Sequence, residues 1–105
     1  MSNSIKDVAA LLMYKGPDIN EIIQEAVSAG AHYETEALAG GAVKLTVTST
    51  TAYDLAVIDT YYFNADKELT RQTLFVNGKE KVVFDKYQEA KDILVNMEKT
   101  KKIAV

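Results

Sequence analysis

His32, Glu34 and Glu36 are the residues of this chain whose types and spacing best suit a metal ion. On an extended strand, alternate side chains project from one side about 6.5–7 Å apart, and an imidazole with two carboxylates is a workable ligand set. A polar, solvent-facing strand side accounts for the same pattern. The chain has one His, so the usual triad lacks a second imidazole and no metal is assigned. Asp59 interrupts the apolar run 55–63, which makes it the carboxylate most prone to a pKa raised by burial, one ingredient of a general acid. An outward position, or pairing with Lys or Arg71 on a neighbouring strand, explains it equally well. The four Ser fall at helix ends or loops and none sits in a Gly-x-Ser-x-Gly elbow. With no Cys there is no thiol nucleophile, thiolate metal site or disulfide. The five Gly all read as turn or helix-stop residues, and no phosphate-cradling pattern occurs. The chain therefore reads as non-enzymatic and without a cofactor.

The aromatic residues offer more. Tyr33, Tyr53, Tyr61, Tyr62 and Phe63 gather around two strand-like stretches, and Tyr61 and Tyr62 must leave a regular strand on opposite faces. At least one of them lies outside a helix-covered core. Exposed Tyr among Thr and acidic neighbours makes a serviceable protein-binding patch, while cross-strand packing of the same rings is the plainer account. The candidate binding residues are Tyr53, Asp59, Tyr61, Tyr62, His32 and Glu34, with His32, Glu34, Tyr53, Asp59 and one of Tyr61 or Tyr62 expected on the outer side of the first three strands. Thr46, Thr48, Thr50 and Thr51 mark an exposed strand end.

The elements that must hold these residues follow from periodicity. Ile5, Val8, Ala9, Leu12 and Met13 recur at helical spacing, so a first helix is expected over about 4–15, stopped by Lys15-Gly16-Pro17. Asp18 with Glu21 forms a capping-box pattern for a second helix carrying Ile19, Ile22, Ile23, Ala26 and Val27, closed by Gly30. The two are expected to form a helical hairpin over 4–29. From residue 31 the period becomes two. His32, Glu34 and Glu36 oppose Tyr33, Thr35 and Ala37, and Val43, Leu45 and Val47 alternate with Lys44, Thr46 and Thr48. The run 55–63 is apolar on both parities and reads as a central strand. Asn64-Ala65-Asp66-Lys67 and Asn77-Gly78 turn the chain into two more strands. Asp85 and Gln88 form another capping box for a last helix over 85–98, whose Lys86, Glu89, Lys91 and Asp92 are expected to face water. Residues 99–105, with Lys99, Lys101 and Lys102, are expected to fray as a basic tail. The expected architecture is one α+β domain over 1–105, α-α-β-β-β-β-β-α, with an antiparallel meander over 31–84 and helices packed on one face.

Composition narrows the partners. The chain has 105 residues, 48% of them hydrophobic, and a net charge of -3, enough for one core. Residues 1–41 hold two Lys against six acids, and Arg71 is the one Arg. Both features disfavour nucleic acid. No apolar stretch is long enough to span a bilayer and no basic-then-apolar leader pattern occurs, so a soluble, cytoplasmic protein is expected.

Three readings remain. The first is a protein-interaction module that binds another protein or itself through an open sheet face. The second is a small acidic inhibitor that presents Asp18, Glu21, Glu25, Glu34 and Glu36 to a basic surface of a target enzyme. Two helices before a five-stranded antiparallel sheet, with Thr51-Ala52-Tyr53-Asp54 in a loop, make a layout that resembles the phage uracil-DNA glycosylase inhibitors. That resemblance covers architecture and four residues, and it implies an inhibitory protein partner for this second reading. The third is a small-molecule site or enzyme that uses Asp59 or His32 as its polar group.

Overall fold

Short connections between period-two runs leave a meander as the simplest pairing, and that is the observed topology. The computed structural model describes residues 4–103. Helices α1 (Ser4–Met13) and α2 (Ile19–Ser28) precede strands β1 (His32–Ala37), β2 (Val43–Thr50), β3 (Ala56–Phe63), β4 (Leu69–Val76) and β5 (Lys79–Asp85), and α3 (Lys86–Ile103) follows. The strands form one antiparallel sheet in the order β1-β2-β3-β4-β5. The helices lie on one side of it, and the fold is α+β. Among the described residues no helix is long and apolar enough to cross a membrane.

Register decides which side chains meet. Leu45 of β2 is opposite Tyr61 of β3, and Val43 is opposite Phe63. Phe63 is in turn opposite Leu69 of β4, across a register shift. Ile22 and Ala26 of α2 close over Leu45, Val47, Phe63 and Leu69 to form the core. Leu45, Phe63 and Leu69 are 0%, 2% and 3% exposed, and each such side chain contributes about 1.5–3 kcal/mol by leaving water.

The first two helices do not form the expected hairpin with one another. The pairing of α1 is with α3, across the two ends of the chain, while α2 lies on the sheet beside β1. The linker between α1 and α2 is held instead against the start of β4, where the Leu69 N–H donates to the Lys15 carbonyl at 2.9 Å. Gly16 adopts φ +72° there, and an added Cβ would stand 2.8 Å from Leu69 Cβ. Both the backbone conformation and the close approach demand glycine.

Capping also departs from expectation in detail. The Asp18 side chain makes no cap bond to α2; its carbonyl receives the Glu21 and Ile22 N–H groups at 3.1 and 3.2 Å. At α3, Asp85 Oδ1 does accept the Gln88 N–H at 3.0 Å, but the reciprocal bond to the Asp85 N–H comes from Glu89 Oε2. Residues 99–103 continue α3 rather than fray. The segment from Lys86 to Ile103 contains no Gly or Pro to stop the helix. Residues 104–105 lie outside those described.

The shape follows from these pairings. An eight-residue strand and the 18-residue α3 each span about 27 Å. The molecule is 56 Å long, with a radius of gyration of 17.0 Å, where a compact chain of this length has about 13 Å. The α1–α3 pair, which meets the sheet where the Lys15 carbonyl reaches Leu69 and Tyr14 reaches Phe84, forms an arm of this elongated molecule.

Candidate functional site

The alternation of β3 divides the six candidate residues. Phe63 is in the core, and residues two and four positions before it share its face. Asp59 and Tyr61 therefore point to the helix-bearing side, opposite Val47 and Leu45. Tyr62 points to the open side with His32 and Glu34. Tyr53 stands apart, 89% exposed at the tip of the β2–β3 turn. The expectation that Asp59 shares the outer side of the first three strands with His32, Glu34, Tyr53 and one of Tyr61 or Tyr62 is thus corrected for Asp59, and of the two tyrosines it is Tyr62 that lies on that side.

On the inner side, burial raises the Asp59 pKa above the usual carboxylate value, and a hydrogen bond from the Gln72 side chain partly offsets this. Tyr61, directly opposite Gln72, has its phenol pKa raised by burial and then by the negative charges of Asp59 and Glu25. Asp59 and His32 lie on opposite faces of the sheet, so the two residues of the third reading cannot share one site. His32 Nε2 and Glu34 Oε1 are 3.3 Å apart on an exposed surface, and among the described residues no group of three metal-capable side chains occurs.

On the open side, the register lines up residues across all five strands. One row runs Glu36, Lys44, Tyr62, Arg71, Asp85, each opposite the next. Lys44 Nζ lies 6.0 Å and Arg71 Cζ 5.8 Å from the Tyr62 ring centroid, so a cation flanks the ring on either side. Arg71 Nε is 3.6 Å from Asp85 Oδ2, too long for a hydrogen bond, and this buried N–H has no hydrogen-bond partner. The next row is Glu34, Thr46, Thr60, Thr73, Val82, and the third is His32, Thr48, Ile58, Phe75, Glu80. Ile58, Phe75 and Val82 thus form an apolar group on β3 to β5, with Phe75 and Val82 40% and 48% exposed. Leu55 and Tyr53, 39% and 89% exposed, lie in the β2–β3 turn. That turn is fixed by the Thr51 hydroxyl, which accepts the Tyr53 and Leu55 N–H groups at 3.3 and 3.2 Å; Tyr53 is therefore held out by an ordered backbone.

Sequence reasoning missed Lys86. Expected to face water, it is 1% exposed. Its Nζ donates to the Leu12 carbonyl at 3.2 Å and lies 3.6 Å from Glu68 Oε1. The Leu12 carbonyl belongs to the last turn of α1, which has no helical donor of its own, so Lys86 ties α1, the β3–β4 turn and the start of α3 together. Phase was the available signal: Phe84 points inward and Asp85 outward, and Lys86 follows in the inward position. Lys86 serves structure, and the open face remains the surface without a covering element. No protein-family model, curated protein or solved structure matches the chain.

Proposed function

We propose that the chain is a non-enzymatic protein-interaction module whose recognition surface is the open sheet face. One observation carries this reading: Phe75 and Val82 lie exposed beside the half-buried Ile58 on the open face, on the same side of the sheet as the charged row around Tyr62, and Tyr53 projects from the β2–β3 turn. An apolar centre with a polar rim and amphipathic aromatic anchors is the composition of a protein interface. The row around Tyr62 is symmetric in charge, acid-base-Tyr-base-acid. A second copy stacked in register on Tyr62 would set like charge over like, which favours a different protein as the partner of this face.

The acidic-inhibitor reading has less support. Its carboxylates are divided by the sheet, with Glu34 and Glu36 on the open side and Glu21 and Glu25 on α2, so no single acidic surface is presented.

Phe75→Ser and Tyr62→Ala test the proposal, after circular dichroism has established that each keeps the fold. A protein captured by the wild type in crosslinked pull-downs, then purified and titrated, should bind each variant at least about tenfold more weakly, the scale of an interface anchor. Equal affinity of wild type and both variants for every captured protein would remove the reading.

A further inference from the structure

We propose that the free edge of β1 takes up an extended segment of a partner protein, paired antiparallel to β1, with basic side chains on the open-face side and apolar ones on the helix side. This edge is a different surface from the open sheet face, and the inference does not rest on the reading given for that face.

Backbone direction identifies what the edge offers. The Leu38 N–H donates to the Ala42 carbonyl at 2.8 Å, and this pair continues the β1–β2 register beyond Ala37 and Val43. Hydrogen-bonded and non-hydrogen-bonded pairs alternate along an antiparallel ladder. Glu36, Glu34 and His32 therefore turn their backbone groups towards β2, while Tyr33, Thr35 and Ala37 turn theirs outwards, one N–H and one C=O each. The other edge of the sheet is guarded. Strand β5 carries Lys79 and Lys81, and its pairing with β4 shifts register between Gln72 and Thr73, two features that oppose further pairing. Strand β1 pairs with β2 without a shift, contains no Lys, Gly or Pro, and is exposed along its whole length.

Side chains specify the occupant. Tyr33, Thr35 and Ala37 lie on the helix side with Val47, Leu45 and Val43 opposite them, yet all three are exposed. Helix α2 supplies a wall beside them. Its Ile22 and Ala26 face the core; Glu25 lies about 80° to one side, where its charge reaches Tyr61 of β3, and Ile23 and Val27 lie about 80–120° to the other, towards β1. Val27 and Tyr33 are 60% and 39% exposed. Apolar side chains of an added strand would be covered there. On the open-face side, Glu34 and Glu36 hold the non-hydrogen-bonded positions of the outer pairing, where facing side chains come closest. A second copy suits them poorly. Of the two-fold registers that use the whole strand, one centred on residue 34 sets Glu34 against itself, flanked by His32 opposite Glu36, and one centred on residue 35 sets Glu34 against Glu36 twice. Neither gives Glu34 a cation. Lys or Arg at alternate positions of a different strand meets both carboxylates and makes charge alternate across partner, Glu36 and Lys44.

The probe is a blocked peptide that alternates Lys and Val and is long enough to span β1, titrated into isotope-labelled protein and followed by amide chemical shifts. The largest shifts should fall at Tyr33, Thr35 and Ala37, and the exchange of these amides with solvent should slow. N-methylation of the Val residues, whose N–H groups face β1 in the proposed pairing, should weaken binding at least about tenfold, whereas N-methylation of the Lys residues, which face away, should leave it within about threefold. Thr35→Pro removes an outward donor where an edge strand tolerates Pro. With its circular dichroism unchanged, that variant should also bind at least about tenfold more weakly. Glu34→Lys combined with Glu36→Lys should transfer the preference to a peptide that alternates Glu and Val. Absence of saturable binding by the Lys-Val peptide, shifts centred outside β1, equal losses on methylating Lys and Val, or an unchanged preference in the charge-reversed variant would each overturn the proposal.

Discussion

The sheet with α2 and the α1–α3 arm are built from similar apolar content but bury it differently. In the first, Ile22 and Ala26 close on Leu45, Phe63 and Leu69 from three strands, and the largest side chains are excluded from water. In the second, two helices meet along one seam, and Ile5, Met13, Tyr87 and Leu94 remain in solvent. A helix pair has no third element to close its core, so its stability depends on what ties it to the sheet and on what covers its free side. The tie is local and polar: Lys86 on the Leu12 carbonyl and beside Glu68, the Leu69 N–H on the Lys15 carbonyl, and Tyr14 edge-to-face with Phe84 at 5.6 Å. The difference separates a self-sufficient part of the molecule from one that leans on a junction.

Cutting that junction should have the largest effect. Lys86→Ala leaves a buried helix-end carbonyl without its donor and removes the aliphatic stem from a filled site. The expected loss is about 2–3 kcal/mol, or roughly 10 °C in Tm for a domain of this size. Lys86→Met keeps the stem and should recover part of the loss. Native-state hydrogen exchange gives the sharper measurement. In Lys86→Ala the amides of α1 and α3 should exchange much faster than those of β2 and β3, because the arm now opens without the sheet. Uniform acceleration in both regions would mean that arm and sheet form one cooperative unit and that the comparison is drawn too strongly.

Glu68 gives the junction a pH dependence. Its carboxyl pKa lies below the ordinary value, first through the Asn64 amide and then through the charges of Lys86 and Lys15. A carboxylate whose folded pKa is depressed contributes stability that is present above its unfolded pKa, about 4.3, and is lost as pH falls through the folded value. Acid should therefore loosen the arm. Glu68→Gln should flatten the fall of Tm below about pH 4.5 while lowering Tm at neutral pH, a smaller change than that of Lys86→Ala. Equal acid sensitivity in the variant and the wild type would place the acid-labile contacts elsewhere.

The sheet was legible because its signals are local. Period-two alternation in Val43–Thr48 and the Asn77-Gly78 turn, with φ of 54° and 74°, together specify strand and hairpin within a few residues. The arm was not legible, because pairing between α1 and α3 joins the two ends of the chain and leaves no trace in either helix alone. The apolar stripe of α1 is the same whether it covers α2, α3 or a second copy. Among the candidate residues, the opposite directions of Tyr61 and Tyr62 follow from alternation. Which of them faces the helices does not, because the run 55–63 is apolar on both parities and only the complete burial of Phe63 assigns the inner face. The row Glu36, Lys44, Tyr62, Arg71, Asp85 needs four registers at once, two of them displaced by shifts at Tyr62/Phe63 and Gln72/Thr73, which no single-strand pattern encodes.

Asp59 offers the smallest effect, with the opposite sign, inside the part that does not depend on the junction. Burial raises its folded pKa, so the folded state holds the proton more tightly than the unfolded chain does. Its favourable contribution is complete below the unfolded pKa, about 3.9, and is lost as pH rises through the folded value. At neutral pH the carboxylate is a cost, discounted because the group is half in water. Asn keeps an oxygen for the Gln72 side chain without the charge, so Asp59→Asn should raise Tm slightly at pH 7 and leave it unchanged near pH 3. The same substitution removes one of the charges that hold the Tyr61 phenol above its ordinary pKa. Ultraviolet titration should then find one tyrosine ionising at lower pH than in the wild type, while the burial contribution persists. Mild acid thus acts in opposite senses on the two regions, favouring the inner face of the sheet while releasing the arm. A single Tm cannot resolve that opposition, but exchange rates measured separately in α3 and β3 across the same pH range can.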